Sequence, residues 1–254
     1  SVFRNCKHLT GELNIPNQVT TIGNNAFRQC SNLNGALHLP SNLKTIGDNA
    51  FFFCSKLIGD ISIPEGVTSI GFQAFIECTG FDGRLIIPET VTNIGGSAFS
   101  GCTSLTGDLN IPSKITNIED QTFSSLGCSG TLTFPTNLET IGSRSFQGTN
   151  FKCQLNLPQS LTTIKSSAFS SSSFTGNLNL PINLETIEYS AFRNCKGFTG
   201  SLTIPNKIKT ISYEIFSDCS GFNGNLILPT EITEIENRAF YNCNRLKGTL
   251  LIPE

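Results

Sequence analysis

The apolar positions of this chain repeat on a long beat. Between Leu13 and Gly35 they are Leu13, Ile15, Pro16, Val19, Ile22, Ala26, Phe27, Cys30 and Leu33, and the same types return every 23 or 24 residues. All 11 prolines keep one phase, at 16, 40, 64, 88, 112, 135, 158, 181, 205, 229 and 253. Phenylalanine keeps a second, at 3, 27, 51, 75, 99, 123, 146, 169, 192, 216 and 240. A fixed period of this size marks a solenoid, whose units bury their apolar faces against one another.

Each position implies local structure. Leu-x-Ile/Leu-Pro alternates inward and outward and reads as a short strand. Proline ends it, because it donates no ladder hydrogen bond. Stacked coils then pair these strands about 4.8 Å apart into a parallel sheet, and ten coils give a rod on the order of 50 Å long. Val19 and Ile22 begin a second inward pair, suited to an extended or irregular run on the opposite wall. Glycine at 23, 47, 71, 95 and 142 predicts a turn with φ > 0, although Glu119, Lys165, Glu188, Ser212 and Glu236 stand there elsewhere. Ala-Phe predicts one helical or 3₁₀ turn, with alanine leaving room for the ring to enter the core. Eleven stacked rings form the expected spine, each contributing roughly 1.5–3 kcal/mol of burial.

The pattern IPxxVTxIGxxAFxxCxxLxG, seen from Ile63 to Gly83, resembles the BspA-like, treponemal-type leucine-rich repeats. The resemblance covers essentially the whole chain. It implies one leucine-rich-repeat solenoid over residues 1–254: a right-handed coil with a parallel sheet on one face, short irregular or 3₁₀ turns on the other and little α-helix. It further implies a non-enzymatic, extracellular or cell-surface adhesion module that binds a host or extracellular-matrix protein and needs no cofactor. An extra residue in Leu-x-Gly-x-Leu, as from Leu33 to Leu37, leaves the strand register open.

Composition narrows the partners. The formal net charge is −2 and the basic residues are scattered, so no basic stripe marks a nucleic-acid site. No apolar run is long enough to span a bilayer, which leaves membrane attachment to a separate anchor. Both ends fall inside a repeat, and the expectation is a fragment without caps, able to self-associate through its open ends. Such a self-associating structural array is the alternative function.

Eight of the ten cysteines share one phase, at 6, 30, 54, 78, 102, 195, 219 and 243. A ladder of equivalent positions has no unique pairing, so buried free thiols are expected. No Cys/His cluster has zinc spacing. The three middle units lack the phased cysteine and one residue, around 124–130, 148–154 and 170–176. Those segments read as a specialised ligand edge or as a tolerated deletion. The two histidines, His8 and His38, have no repeated nucleophile or carboxylate beside them, so no catalytic group is assigned. A parallel-β lyase-like enzyme and a threonine-ladder ice or glycan binder are lesser alternatives.

Two candidate surfaces remain. The first is the outward side of the Leu-x-Ile sheet, a concave binding face by analogy with solenoids, carrying Asp60, Ser62, Arg84, Ile86, Asp108, Asn110, Thr131, Thr133, Gln154, Asn156, Asn177 and Asn179. The second is an apolar and aromatic patch after the spine ring: Phe52, Phe53, Phe72 and Ile76, with Tyr189 and Tyr213 in one column further on.

Overall fold

The computed structural model describes residues 2–248. The last expected Leu-x-Ile strand, at 250–252, lies outside them. The chain is a parallel β-solenoid in which no residue among those described is helical. Ten coils are numbered here from their Leu-x-Ile segments, at 13–15, 37–39, 61–63, 85–87, 109–111, 132–134, 155–157, 178–180, 202–204 and 226–228. Each coil has three walls.

The first wall carries the Leu-x-Ile strands. Pairing there is parallel but interrupted: coil 1 pairs with 2, 3 with 4, 5 with 6, and 9 with 10, and coil 8 pairs with 9 in a shifted register, Gly176↔Phe198 and Asn177↔Thr199. Within a pair the register is Leu13↔Leu37 or Ile61↔Leu85, one full repeat apart. Between pairs it slips to isolated bridges such as Ala36↔Ile58 and Arg84↔Thr106, two residues shorter. The extra residue of Leu-x-Gly-x-Leu is absorbed there, as a bulge between Gly11 and Leu13 in the first pair. The residue before glycine follows this alternation. Asn34, Asp82 and Asn223 each accept, through Oδ1, the backbone N–H of Gly11, Gly59 and Gly200 in the preceding coil.

The second wall carries two-residue strands that end in isoleucine, from Thr21–Ile22 to Glu234–Ile235. The sequence allowed an extended or an irregular run here, and the extended one forms. It builds the longest ladders in the molecule, four strands over coils 1–4 and four over coils 5–8. The isoleucines face inward and are buried except in coil 10, while the preceding residues face out.

The third wall is the Ala-Phe segment. It is neither helix nor 3₁₀ but two successive β-turns, closed in coil 1 by Ala26 N–H to Gly23 O (3.2 Å) and Cys30 N–H to Phe27 O (3.1 Å). Asn25 (φ 58°) and Gln29 (φ 59°) occupy the left-handed region at the third place of each turn. The N–H groups of Asn25, Phe27 and Gln29 then all point at coil 2, reaching Asp48, Ala50 and Phe52 carbonyls at 2.7–2.8 Å. Three equivalent bonds recur at each following junction to the end of the described wall.

This arrangement corrects the expected role of glycine. Gly23, Gly47, Gly71, Gly95 and Gly142 do not have left-handed φ; the residues two places later do. At Gly47, Gly71, Gly95 and Gly142 glycine matters instead because the coil behind is too close for a Cβ, whereas coils 5 and 7–10 carry a larger residue there. A Cβ on Gly47 would stand 2.7 Å from Asn24 N, and one on Gly71 2.5 Å from Asp48 N. Asn and Asp at the next position use the same closeness: Asn24 Oδ1 accepts Asp48 N–H (2.9 Å) and Asp48 Oδ1 accepts Phe72 N–H (2.8 Å).

The core is the phenylalanine spine. Eleven rings from Phe3 to Phe240 stack with centroids 4.9–5.8 Å apart and interplanar angles of at most 21°. In the C-terminal half Phe174, Phe198 and Phe222 replace leucine and meet the spine edge-on. The rings from Phe51 to Phe216 are fully buried, at about 2–3 kcal/mol of transfer energy each.

Candidate functional site

The outward residues of the first wall are set by strand alternation. While Leu109, Leu132 and Leu155 are buried, Asn110, Thr133 and Asn156 project outward from the same strands. Of the twelve residues expected on this face, eleven are exposed and Asp60 is half-buried. Part of the face ties itself together. Asp60 accepts the Arg84 N–H at 2.7 Å and meets its guanidinium at 3.4 Å. Asp108 accepts the Thr131 N–H (2.6 Å) and hydroxyl (2.8 Å), and those bonds hold its carboxyl below the usual carboxylate range. Thr133 lies opposite Asn110 in the register, and Ile86 opposite Ser62. From coil 7 onward Gln154, Asn156, Asn177 and Asn179 make the face uncharged.

The expected apolar patch lies on the third wall. Phe52 and Phe53 are in contact, with ring centroids 4.7 Å apart, and Ile76 follows Phe52 in the same column. Phe72 is on that wall, 49% exposed, and it is not among the stacked ring pairs. Sequence reasoning missed Arg28, whose guanidinium lies 3.8 Å over the Phe52 ring and donates to Asn49 Oδ1 at 2.7 Å. Phe53 sits at φ 56°, where the other coils place Asn, Gln, Glu, Asp, Ser or Gly. A left-handed aromatic is uncommon and costs roughly 1–2 kcal/mol.

Tyr189 and Tyr213 stand in adjacent coils of this wall and are exposed. They flank a second missed feature. The Glu214 side chain is 9% exposed and lies between Arg193 (3.3 Å) and Arg238 (3.5 Å), and it accepts the Tyr213 hydroxyl at 3.0 Å. Only the three-dimensional stacking of coils joins residues more than 20 positions apart in this way.

The cysteines have a structural task. Cys30, Cys54, Cys78, Cys102, Cys195, Cys219 and Cys243 each donate Sγ–H to the carbonyl of the spine phenylalanine of the preceding coil, at 2.9–3.2 Å. All ten are free thiols. Where the middle coils lose the phased cysteine, Leu126, Thr149 and Ser172 take its place, and Thr149 and Ser172 still offer a hydroxyl. No group of His, Cys, Asp or Glu among the described residues could hold a metal ion.

A model of the BspA-type leucine-rich repeat region matches the chain over residues 1–126, 52–175, 83–199 and 198–253. The chain belongs to the BspA-type leucine-rich repeat family. This BspA-type solenoid also matches solved structures. One is a leucine-rich repeat protein from Bacteroides ovatus, at 24% identity and a TM-score of 0.64, covering 96% of this chain and 67% of that one. Another is a leucine-rich cell surface protein from Faecalibacterium prausnitzii, at 23% identity and a TM-score of 0.58, covering 94% and 80%. At these identities the likeness is one of fold. Curated proteins give no match. No helix among the described residues is long and apolar enough to cross a membrane.

Proposed function

We propose that this BspA-type solenoid is a cell-surface recognition module that binds a host or extracellular-matrix protein through the outward side of its first wall. The carrying observation is the contrast between the two sides of that wall. Its inward positions repeat the same leucines and isoleucines, whereas its outward columns change from Asp60, Arg84 and Asp108 to neutral amides and hydroxyls. A rigid repeat with a varied exposed strand face offers an extended surface to a macromolecule rather than a pocket to a small substrate. The binding role that the resemblance to BspA-like repeats implies points the same way, by analogy of fold. The test is a concentration series of the chain over immobilised matrix proteins. Saturable binding to at least one supports the reading, and none across a broad panel overturns it.

A second reading is self-association through the third-wall patch, favoured by the strained and 41% exposed Phe53 beside Phe52. Sedimentation at rising concentration separates the two: a monomer throughout removes self-association.

A further inference from the structure

Exposed aromatic side chains are unevenly placed on the solenoid. Apart from Phe3 at the first turn they are Phe53, Phe72, Tyr189, Tyr213 and Tyr241, and all five stand on the third wall. They form two groups. Phe53 and Phe72 lie in coils 2 and 3, near Arg28, and the chain's three tyrosines lie in coils 8–10, near Arg193 and Arg238. The wall between them is low. Counting two residues before and two after each Ala-Phe position, coils 4–7 have sixteen places, and twelve carry glycine or serine. The corresponding places in coils 1–3 carry none, and those in coils 8–10 only Ser190 and Ser217.

This layout is palindromic. Coil 1 corresponds to coil 10, coil 2 to 9 and coil 3 to 8, with the centre between coils 5 and 6. A second copy placed on the wall by a two-fold axis that crosses the solenoid reverses the coil order and keeps the columns in register. Phe72 then meets Tyr189 of the second copy, in the same column of coils 3 and 8. Arg28, already stacked on Phe52, meets Tyr241 of the second copy, in the same column of coils 1 and 10. Aromatic pairs and guanidinium–aromatic contacts are enriched where interfaces hold most strongly. Charge is matched as well. Glu77 comes one column from Arg193 of the second copy and Asp120 one column from its Arg144, and symmetry makes each pair twice. Asp48 approaches Glu214, but Arg193 and Arg238 already neutralise that carboxylate.

Size and shape agree with this arrangement. Ten coils give a wall about 48 Å long at about 4.8 Å per coil. Two β-turns of under about 7 Å each make it up to about 14 Å wide. Two such faces cover roughly 1,300 Å² in total, above the ~1,000 Å² that a specific interface clears. Stacked strands twist, so two rods in face contact diverge away from their crossing. Small residues at the centre and long ones toward both ends follow that divergence.

We infer that the third wall is a self-complementary interface through which two copies pair antiparallel, centred between coils 5 and 6. The inference rests on the reading of this wall as a self-association surface, and it adds the partner surface, the orientation and the stoichiometry. Both first walls stay uncovered in such a dimer.

The experiment is sedimentation at rising concentration under reducing conditions, for the unaltered chain and for Tyr189→Ser with Tyr241→Ser. Both tyrosines are exposed, so the variant keeps the fold. A monomer–dimer equilibrium is expected, with a dissociation constant at least about tenfold higher in the variant. Orientation is read from distances between spin labels on the two copies, with the half-buried Cys6 and Cys153 replaced by serine. Labels at Thr21 in coil 1 stand nine coil steps apart along the rods, about 43 Å, and labels at Asn117 in coil 5 only one step, about 5 Å. The Asn117 distance should therefore be shorter by about 20 Å or more. A monomer at every concentration overturns the self-association reading and this inference with it. Undiminished association of the tyrosine variant, or equal distances for the two labels, overturns the antiparallel dimer and leaves self-association through the phenylalanine patch standing.

Discussion

Raising the pH from about 7.5 to about 9.5 ionises the cysteines of the unfolded chain but leaves the most deeply buried ones of the folded coil protonated. Burial pushes the Cys54 thiol up to about 12 and the Cys195 thiol to about 11, and it raises Cys78, Cys102 and Cys219 as well. In the unfolded chain each returns to an ordinary thiol value of about 8.5–9. The group is an acid whose folded value is raised, so between the two values the folded state binds the extra proton. Stability is then full below the unfolded value and falls as pH rises toward the folded one. At pH 9.5 each thiol removes about 1 kcal/mol, and the five together about 4–7 kcal/mol, a large part of the 5–15 kcal/mol typical of folded domains. Urea unfolding under reducing conditions at the two pH values reads this directly. Cys54→Ala with Cys195→Ala should flatten the pH dependence by about 2 kcal/mol, whatever it does to stability at neutral pH. An unfolding midpoint independent of pH, or an unchanged slope in the double variant, would refute the reasoning.

Other outcomes follow from single positions. Phe123→Ala should cost about 3–5 kcal/mol in urea unfolding, because the ring is fully buried in mid-spine and its loss leaves a cavity. Ser145→Ala should stabilise by about 1 kcal/mol, since Ser145 Oγ is buried without a partner where most coils carry alanine. Gly71→Ala should cost about 1–3 kcal/mol through its Cβ meeting Asp48 N, a loss that a φ-based role for this glycine does not predict. Phe53→Asn should raise the unfolding free energy by about 1 kcal/mol as left-handed strain is relieved, and should abolish any self-association seen by sedimentation.

The spine, the first-wall strands and the outward columns were legible because each rests on one position repeating in phase. Less visible were properties of pairs of coils. Glycine at 23, 47 and 71 suggested left-handed φ, but its role depends on the coil behind, and Asn25 or Gln73 carry the left-handed backbone instead. In the first half the register slip on the first wall was signalled by Asn34 and Asp82 alternating with Ile58 and Thr106 before glycine, a two-coil period hidden inside the one-coil beat that Ser129, Thr175 and Thr199 do not continue. Cysteine was legible as a buried thiol but not as the donor to a spine carbonyl. Of the candidate surfaces, Phe52 and Phe53 could be joined from adjacency alone, whereas Arg28 over Phe52 and Arg193–Glu214–Arg238 require knowing which turn positions face each other across coils.

The recognition role of the first wall is tested most directly by a matched pair of triple variants against a bound matrix protein. One changes Asn110, Thr133 and Asn156 to glutamate, and the other changes Asn93, Asn117 and Thr140 on the second wall. Binding should fall at least about tenfold, more than about 1.4 kcal/mol, in the first and hold in the second. Undiminished binding by the first-wall variant, or an equal loss in both, would contradict it.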